Sequence, residues 1–484
     1  MRLDQLLARD DLDPALAELE IAGLTADSRA VDESFAFFAI PGHAGDGLSY
    51  VEDARARGAV VVIAQREADC PLPLLVVADV RAALAQAAAR FYPRQPQTIV
   101  AVTGTSGKTS VVAFLRQIWA ALGHEAASLG TVGVVDSKGA HYGALTTPGP
   151  VELHKILDEL ARRGVTHVAM EASSLGIDQR RLDGVRLTVA GFTNFSRDHL
   201  DHHRDMEEYF AAKMRLFDTL LQPNQTAVID ADADIAARVA SVCQARGLQI
   251  FSVGRKGEAI VLKEARPSAL ATGLTLVHAG TAYKVELPLA GAFQVANALV
   301  AAGLAIAAGD APARVFATLG GLKGAPGRLE LIGARHGAPV FVDYAHKPDA
   351  LEKVLATVRP LAPGRLIVVF GCGGDRDKGK RPLMGEIAAR GADVAIVTDD
   401  NPRSEEPGTI RAEIIAGARG AGPAKIIEIA DRGEAISRAV ADLCAGDALV
   451  VAGKGHETGQ IVGNRILPFS DHEAVVKALQ EHGS

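Results

Sequence analysis

"VTGTSGKTS", residues 102–110, decides how the chain is read. The general phosphate-loop pattern places a glycine five positions ahead of the Gly-Lys pair. Counting back from Gly107 and Lys108, that position holds Val102. The stretch is therefore either a nucleotide site with a shortened loop or a run of small residues that binds nothing. Its flanks favour the first reading. "TIVAVTG" leads into it as an apolar run, and "KTSVVAFLRQIWAALG" follows with helical spacing, so the order is strand, glycine loop, helix. Backbone N–H groups gathered at a helix N-terminus favour anions. Lys108 adds a point charge suited to β- and γ-phosphates, and the hydroxyls of Thr109 and Ser110 can reach Mg²⁺.

The rest of the chain suits an enzyme around such a loop. At 484 residues it is too long for one hydrophobic core and predicts roughly two to four domains. With 48% hydrophobic, 23% charged and 5% aromatic residues, the composition is that of an α/β enzyme. A net charge of −7 argues against a general nucleic-acid binder. Cys70, Cys243, Cys372 and Cys444 are scattered, which predicts reduced thiols and no disulfide framework or zinc site. The N-terminus carries acidic residues and no signal-like apolar core, and no stretch approaches the ~18 apolar residues of a membrane span. A cytoplasmic protein not embedded in a membrane is expected.

Three α/β domains are expected. Residues 1–95 alternate short strand-like runs ("SFAFFAIPG", "GAVVVIAQ", "LPLLVVADV") with turns and close on the helix "RAALAQAAARFY". "PRQPQ" at 93–97 is a linker. Residues 96–330 carry the glycine loop and further strands ("HVAMEAS", "VAGFTN", "QTAVID"), which alternate with helical patterns as in a parallel sheet with crossover helices. Residues 331–484 repeat the design with "PVFVDYAH", "RLIVVFGCGGD", "VAIVTDD" and "ALVVAGKGHE", each an apolar strand ending in a polar or glycine-rich loop. Ligands in such sheets sit at the carboxyl ends of the strands.

Candidate chemistry falls at those ends. Glu171 in "MEASS" is a Mg²⁺ ligand or an ordinary cap. "TNFSRDHLDHH" (193–203) gathers Asn194, Arg197, Asp198, His199, Asp201, His202 and His203, as a site or as a solvated loop. Lys213 stands among apolar residues in "YFAAKMRLF", where a lysine either snorkels or acquires a lowered pKa. "GCGGDRDKGKRPLMG" (371–385) brings Arg376, Lys378, Lys380 and Arg381; "TDDNPRSEEP" (398–407) carries Arg403; "GKGHE" (453–457) pairs Lys454 and His456 with Glu457.

The order and wording of these motifs resemble the Mur ligase family over nearly the whole chain. That family's loop lacks the first Walker glycine and reads Gly-Thr-Asn/Ser-Gly-Lys-Thr-Ser/Thr, as Gly104, Thr105, Ser106, Gly107, Lys108, Thr109 and Ser110 do here. "EASS", "TNFSRDHLDHH", the lysine of "AAK", "GAFQVANAL", "GAPGRLE" and "DYAHKPDAL" also fit. "TADSR", "LTTPGP" (145–150) and "DNPR" point to the branch that adds meso-diaminopimelate; lysine-adding relatives differ at that arginine.

The resemblance implies a central P-loop ATPase domain, an N-terminal UDP-binding domain and a C-terminal Rossmann-like domain. Ala26, Ser28, His43, Ala44 and Gly45 would lie by the UDP-sugar, and Thr146, Thr147, Ser173, Gln179 and Arg181 along the muramyl-dipeptide path. ATP would take loop 104–110 with Asn297, Arg328 and Asp343. Two Mg²⁺ ions would be held with Thr109, Glu171, His199 and a carbamylated Lys213; Lys108, Lys213, His199 and Glu171 form the implied catalytic set. Arg376, Asp400, Asn401, Pro402, Arg403, Gly453 and Glu457 would grip diaminopimelate. Leu145 stands where some relatives have asparagine, and Ala26 replaces a common leucine.

The implied partners are UDP-N-acetylmuramoyl-L-alanyl-D-glutamate, meso-diaminopimelate and ATP, acting on a monomer in peptidoglycan precursor synthesis. Phosphoryl transfer would turn the D-Glu γ-carboxylate into an acyl phosphate, which the amino acid's amine attacks. "GAPGR" at 324–328 is a candidate hinge. A lysine-adding relative and a folylpolyglutamate synthase-like ligase are the enzymatic alternatives; the latter would lack the UDP-binding domain and "DNPR". A nucleotide-dependent switch is opposed by the lack of an Asn-Lys-x-Asp guanine-reading stretch.

Overall fold

The computed structural model describes residues 1–42, 45–141, 145–198, 202–268 and 271–483. These form two compact units. The first comprises Met1–Leu262, Val277–Thr281 and Leu299–Thr318; the second comprises Lys263–Leu276, Ala282–Ala298 and Leu319–Ser484.

The first unit holds two parallel sheets. β1 (Gly23–Thr25), β2 (Phe35–Phe38), β3 (Ala59–Ala64) and β4 (Leu74–Val76) pair in chain order. The helix Val80–Phe91 starts where the Asp79 carboxylate accepts from the Arg81 and Ala82 amides. Its Leu84, Ala87 and Ala88 pack with Leu3, Leu24, Phe38 and Ile63.

Eight strands of the larger sheet are β5 (Thr98–Thr103), β6 (Ala126–Gly130), β7 (Gly133–Asp136), β8 (Gly139–His141), β9 (His167–Glu171), β10 (Val189–Phe192), β11 (Thr226–Asp230) and β12 (Gln249–Gly254). Six of these run parallel in the order β12-β11-β10-β5-β9-β6, with β7 and β8 turning back antiparallel beyond β6. β5 is buried at all six positions, as a central strand covered on both faces must be. The helix after the glycine loop, Lys108–Leu122, buries Val111, Phe114, Leu115, Ile118 and Trp119.

One part departs from the expected alternation of strands and crossover helices. β13 (Ile260–Pro267), β14 (Thr272–His278) and β15 (Thr281–Leu287) follow one another with no helix between them. Their polar alternation, as in "TLVHAGTAYKVEL", is the signature of strands with one solvated face.

In the second unit β16 (Glu330–Arg335) and β17 (Ala338–Asp343) form a hairpin, and the sheet continues with β18 (Leu366–Phe370), β19 (Val394–Val397), β20 (Lys425–Glu428) and β21 (Ala448–Ala452). The order is β16-β17-β21-β18-β19-β20, parallel from β17 onward. One apolar cluster covers each face, with Phe341, Val368 and Val450 on one and Val340, Val369 and Val451 on the other. β22 (Gly459–Val462) and β23 (Arg465–Pro468) make a separate two-stranded hairpin. No helix among the described residues is long and apolar enough to cross a membrane.

At the amino end of β9 in the first unit, His167 stacks on His124 with ring centroids 4.0 Å apart. Asp310 holds His124 at 2.8 Å and the Trp119 indole N–H at 3.1 Å. Burial, and next the neighbouring His124, push His167 down to about 4 from an ordinary 6.5, with Asp310 opposing. Between those values the unfolded chain takes up a proton that the folded chain refuses, so His167 makes stability fall as pH falls through that window. Urea unfolding at pH 7 and pH 4.5 should show His167→Asn losing about 1–2 kcal/mol less than wild type, after discounting for partial exposure.

Candidate functional site

Three strand ends build the first unit's polar edge. β5 and β9 pair so that Val102 lies opposite Glu171, and β10 runs beside β5 with Phe192 opposite Thr103. The glycine loop, Glu171 and the 193–198 segment therefore leave the sheet level with one another.

The loop is clamped by that segment. Asn194 accepts from the Thr105 amide at 2.9 Å through its carbonyl and from the Ser106 amide at 2.9 Å through its side chain. The Thr193 hydroxyl donates to the Ser106 carbonyl at 2.6 Å. Gly104 has φ +144°, and a Cβ there would come within 2.0 Å of Thr193 Oγ1, so only glycine fits. Lys108 Nζ, at the head of its helix, donates to the carbonyls of Gly104 at 2.9 Å and Thr105 at 3.0 Å.

Lys213 reaches the same carbonyl from the other side. It is 1% exposed, its Nζ donates to Gly104 O at 2.9 Å, and it lies 4.4 Å from the centroid of the Tyr209 ring. Burial, and next the charge of Lys108, hold its amine well below the ordinary lysine value. The buried Tyr209 hydroxyl lies 3.2 Å from Thr105 Oγ1, and burial raises its pKa.

Glu171, 1% exposed, accepts from the Thr131 amide at 2.8 Å and the Thr131 hydroxyl at 3.2 Å. Thr131 Oγ1 lies 3.2 Å from Thr146 Oγ1. Thr147 Oγ1 donates to the Glu171 carbonyl at 3.0 Å and lies 3.1 Å from Ser173 Oγ. Arg181 donates to Thr147 O at 2.6 Å and Gln179 Oε1 at 2.7 Å. The structure thus brings Thr146, Thr147, Ser173, Gln179 and Arg181 together beside Glu171.

A hydroxyl at Thr109 and a carboxylate at Glu171 are hard oxygen donors of the kind Mg²⁺ takes. Among the described residues no three His, Cys, Asp or Glu side chains cluster as metal ligands. The donor set suits an ion that keeps water and phosphate oxygens in its shell. His199, and with it Asp201, lies outside the described residues, as do His43 and Ala44 of the "GHAG" loop. Within that loop the Gly42 amide donates to Gly45 O at 2.9 Å. Ser28 is buried in a short helical turn capped by Asp27, and Ala26 is half-buried.

In the second unit, Asn297 Nδ2 donates to Gln294 Oε1 at 3.3 Å, and Gln294 Nε2 donates to Arg328 O at 3.0 Å. Asp343 accepts from the Leu329 amide at 2.6 Å and the Ala345 amide at 2.7 Å. Burial pushes its carboxyl up to about 6, with Arg328 the main opposing influence. The Arg328 guanidinium lies 4.7 Å over the Tyr344 ring.

The loops after β18, β19 and β21 converge. Arg403, with φ +52°, donates through Nη1 to Gly374 O at 2.8 Å. A Cβ on Gly374 would lie 1.9 Å from the Pro402 carbonyl, so the close approach of the two loops requires glycine. The β22–β23 hairpin docks on "DNPR": the Arg403 amide donates to Ile461 O at 3.0 Å, the Gly463 amide to Arg403 O at 2.8 Å, and Gln460 Nε2 to Asp400 O at 2.7 Å. Asn401 Nδ2 donates to Glu457 Oε2 at 2.9 Å, and Lys454 Nζ to the same oxygen at 3.2 Å. Asn401, Arg403, Glu457, Thr458, Gly459, Ile461 and Ile466 line a cavity of about 240 Å³. Asp400 stands 4.0 Å from the buried Arg432, which pairs with Asp471 at 2.7 Å. The Gly453 amide donates to Asp343 O at 3.0 Å. Arg376 is exposed and is not among the cavity's lining residues; its guanidinium donates to Asp375 O at 3.3 Å.

Several contributors escaped sequence reasoning. Thr131 and the hairpin carry no motif of their own, and the part of Thr131 comes from contacts across a long sequence separation. Tyr209 stands within "YFAAKMRLF" and Gln294 within "GAFQVANAL", but neither was singled out. "GTVG" after β6 was the one local cue for Thr131.

Residues 20–92 match the Mur ligase family catalytic domain, residues 102–305 the Mur ligase middle domain, and residues 327–455 the Mur ligase glutamate ligase domain. The chain belongs to the Mur ligase family, whose members are ATP-dependent ligases. A relative from Bradyrhizobium diazoefficiens, UDP-N-acetylmuramoyl-L-alanyl-D-glutamate–2,6-diaminopimelate ligase, is 56% identical over 99% of each chain. The protein of that name from Caulobacter vibrioides is 49% identical, again over 99% of each. A solved structure described by the same name is 32% identical, with a TM-score of 0.74 and full coverage of both chains. Folylpolyglutamate synthase from Mycobacterium tuberculosis shares the fold at a TM-score of 0.61 and 19% identity, matching 77% of this chain.

Gly374→Ala should force the β18 loop away from Pro402 and destabilise the second unit by about 1–3 kcal/mol, measured by urea unfolding.

Proposed function

We propose that this chain joins meso-diaminopimelate to the D-Glu γ-carboxylate of UDP-N-acetylmuramoyl-L-alanyl-D-glutamate, converting ATP to ADP and phosphate. The observation that carries this reading is the cavity in which Arg403, Asn401 and Glu457 meet. Diaminopimelate differs from lysine by one carboxylate on its far carbon. A guanidinium suits that group, and lysine would leave an ammonium facing it. Discrimination of this kind reaches about 10⁴-fold. Glu457 offers the negative charge for an ammonium, and Ile461 and Ile466 offer an apolar wall to the methylene stem. The loss of "DNPR" would remove the reason to prefer diaminopimelate over lysine.

The chemistry follows from charge. A carboxylate is a poor electrophile, so its oxygen attacks the γ-phosphorus of ATP, ADP leaves, and an acyl phosphate forms. The amine at diaminopimelate's L-centre attacks the acyl carbon, phosphate departs, and the amine's proton goes to solvent. Both first reactants are anions, so neutralisation and alignment dominate the task. Gly107, Lys108, Thr109 and Ser110 hold the phosphates at the helix N-terminus, and Thr105 and Ser106 are set by Asn194. Asn297, Arg328 and Asp343 serve the rest of the nucleotide. Thr146, Thr147, Ser173, Gln179 and Arg181 guide the dipeptide, while Ser28 with the 42–45 loop serves the UDP group. Thr109, Glu171, His199 and Lys213 would hold Mg²⁺. Bound there, the ion neutralises phosphate charge.

Lys213 suits carbamylation. Its amine is held toward the neutral, nucleophilic form, and addition of CO₂ with loss of a proton converts it into an anionic oxygen ligand. We assign the protein to the cytoplasm, where these precursors are made, as a monomer without nucleic-acid partners.

Phosphate release with purified UDP-muramyl-dipeptide should depend on diaminopimelate and stay near background with lysine or no amino acid; equal rates with lysine would overturn the reading. Arg403→Ala should raise KM for diaminopimelate by about 100-fold or more while KM for ATP stays within about threefold. Lys213→Ala should lose nearly all ligation and recover part of it with added short carboxylic acids. Full activity without rescue would remove the carbamate from the account.

A further inference from the structure

We propose that Lys454 is a positioning residue for amino-acid selection, acting through Glu457 and Asn401; this rests on the diaminopimelate reading of the cavity. Lys454 is 0% exposed and lies in the loop directly after β21, whose five residues are all buried. Its Nζ donates to Asn401 Oδ1 at 3.1 Å and Glu457 Oε2 at 3.2 Å. Asn401 Nδ2 closes the triangle on the same Glu457 oxygen at 2.9 Å.

An ammonium removed from water carries a heavy desolvation penalty, and an apolar side chain of similar volume would fill the slot at less cost. The charge therefore has to be explained by what it faces. Two consequences follow from the geometry. Glu457 Oε2 is engaged by two donors, which restricts the rotation of a carboxylate that lines the cavity. Asn401 is also locked in one amide orientation. Its Oδ1 faces Lys454 and the Ile461 amide at 2.9 Å, and its Nδ2 faces a carboxylate, so a flipped amide would oppose like partners at every contact. Lys454 thus ties the β19 loop to the β21 loop directly and to the β22–β23 hairpin through Asn401, and none of its ammonium need touch the ligand. The arrangement sets the distance between the carboxylate that receives an ammonium and the Arg403 guanidinium that receives the far carboxylate.

Steady-state kinetics on full-length Lys454→Met and Lys454→Gln would test this. Both should raise KM for diaminopimelate about tenfold or more, with kcat within about threefold and the KM values for ATP and UDP-muramyl-dipeptide within about twofold. Adding Glu457→Gln to Lys454→Met should raise KM less than about threefold further, because the lysine acts through that carboxylate. Unchanged KM in a folded variant, or effects that multiply in the double variant, would overturn the role. Failure of both Lys454 variants to fold would also overturn it, by assigning the lysine to sheet stability. Wild-type enzyme without diaminopimelate-dependent phosphate release would instead sink the underlying reading, so the two failures separate.

Discussion

Parallel sheets covered on both faces leave their strand ends for polar chemistry, and the glycine loop, Glu171 and the converging loops of the second unit obey that constraint. β5, buried at every position, cannot present a charge from either face. It can only release its chain at the carboxyl end, where β9 and β10 end beside it in register. The glycine loop, Glu171 and the Thr193–Asn194 clamp are neighbours because three strands stop at the same level. The second unit repeats the solution, with the loops after β18, β19 and β21 meeting over one edge. Packing of valine and alanine in the interior thus decides where arginine and glutamate can act.

Within the first unit two lysine side chains converge on the Gly104 carbonyl. Lys108 and Lys213 both place their nitrogens 2.9 Å from it. Two ammonium ions sharing one neutral acceptor repel one another, and Lys213 has almost no access to water. The physical relief is loss of charge at Lys213, which is the direction its pKa takes. A neutral amine beside Lys108 is the reactant that the proposed carbamylation needs, and the resulting anion would answer Lys108 rather than oppose it. The unmodified geometry and the proposed modification therefore have one origin.

How much of this was legible depended on whether a residue's reason was local. The strand, glycine loop and helix around 102–110 could be read because period, glycine and lysine fall within a single stretch. Glu171 and Lys213 stood out as charges at a strand end and in an apolar helix, and the burial of both agrees with that oddity. Resemblance supplied Arg403 together with its partners. Thr131 was invisible because its contact with Glu171 joins segments remote in sequence, and Tyr209, although only four residues before Lys213, gave no sign of its remote link to Thr105. The strands over 260–287 broke the expected alternation, since a meander with one solvated face has no crossover helix to announce it. The resemblance grouped Arg376, from the glycine loop, with Arg403, from the "DNPR" turn, yet of the two Arg403 lines the cavity and Arg376 does not.

On the proposed reading of the cavity, that hairpin is what would make selection strict without a large pocket. A loop holding Arg403 alone would let the guanidinium follow whatever carboxylate came near. Here the Arg403 backbone is bonded on both sides to β22 and its turn, and its side chain is pinned to Gly374. Its residue sits in the left-handed region, a conformation that survives only where surroundings enforce it. The acid opposite, Glu457, is anchored just as firmly. Two fixed charges of opposite sign across about 240 Å³ measure the length of a zwitterion as well as its charges. A lysine end can satisfy one of them and must leave the other unanswered. On that proposed reading, rigidity at both poles is what would convert a simple ion pair into a choice between amino acids.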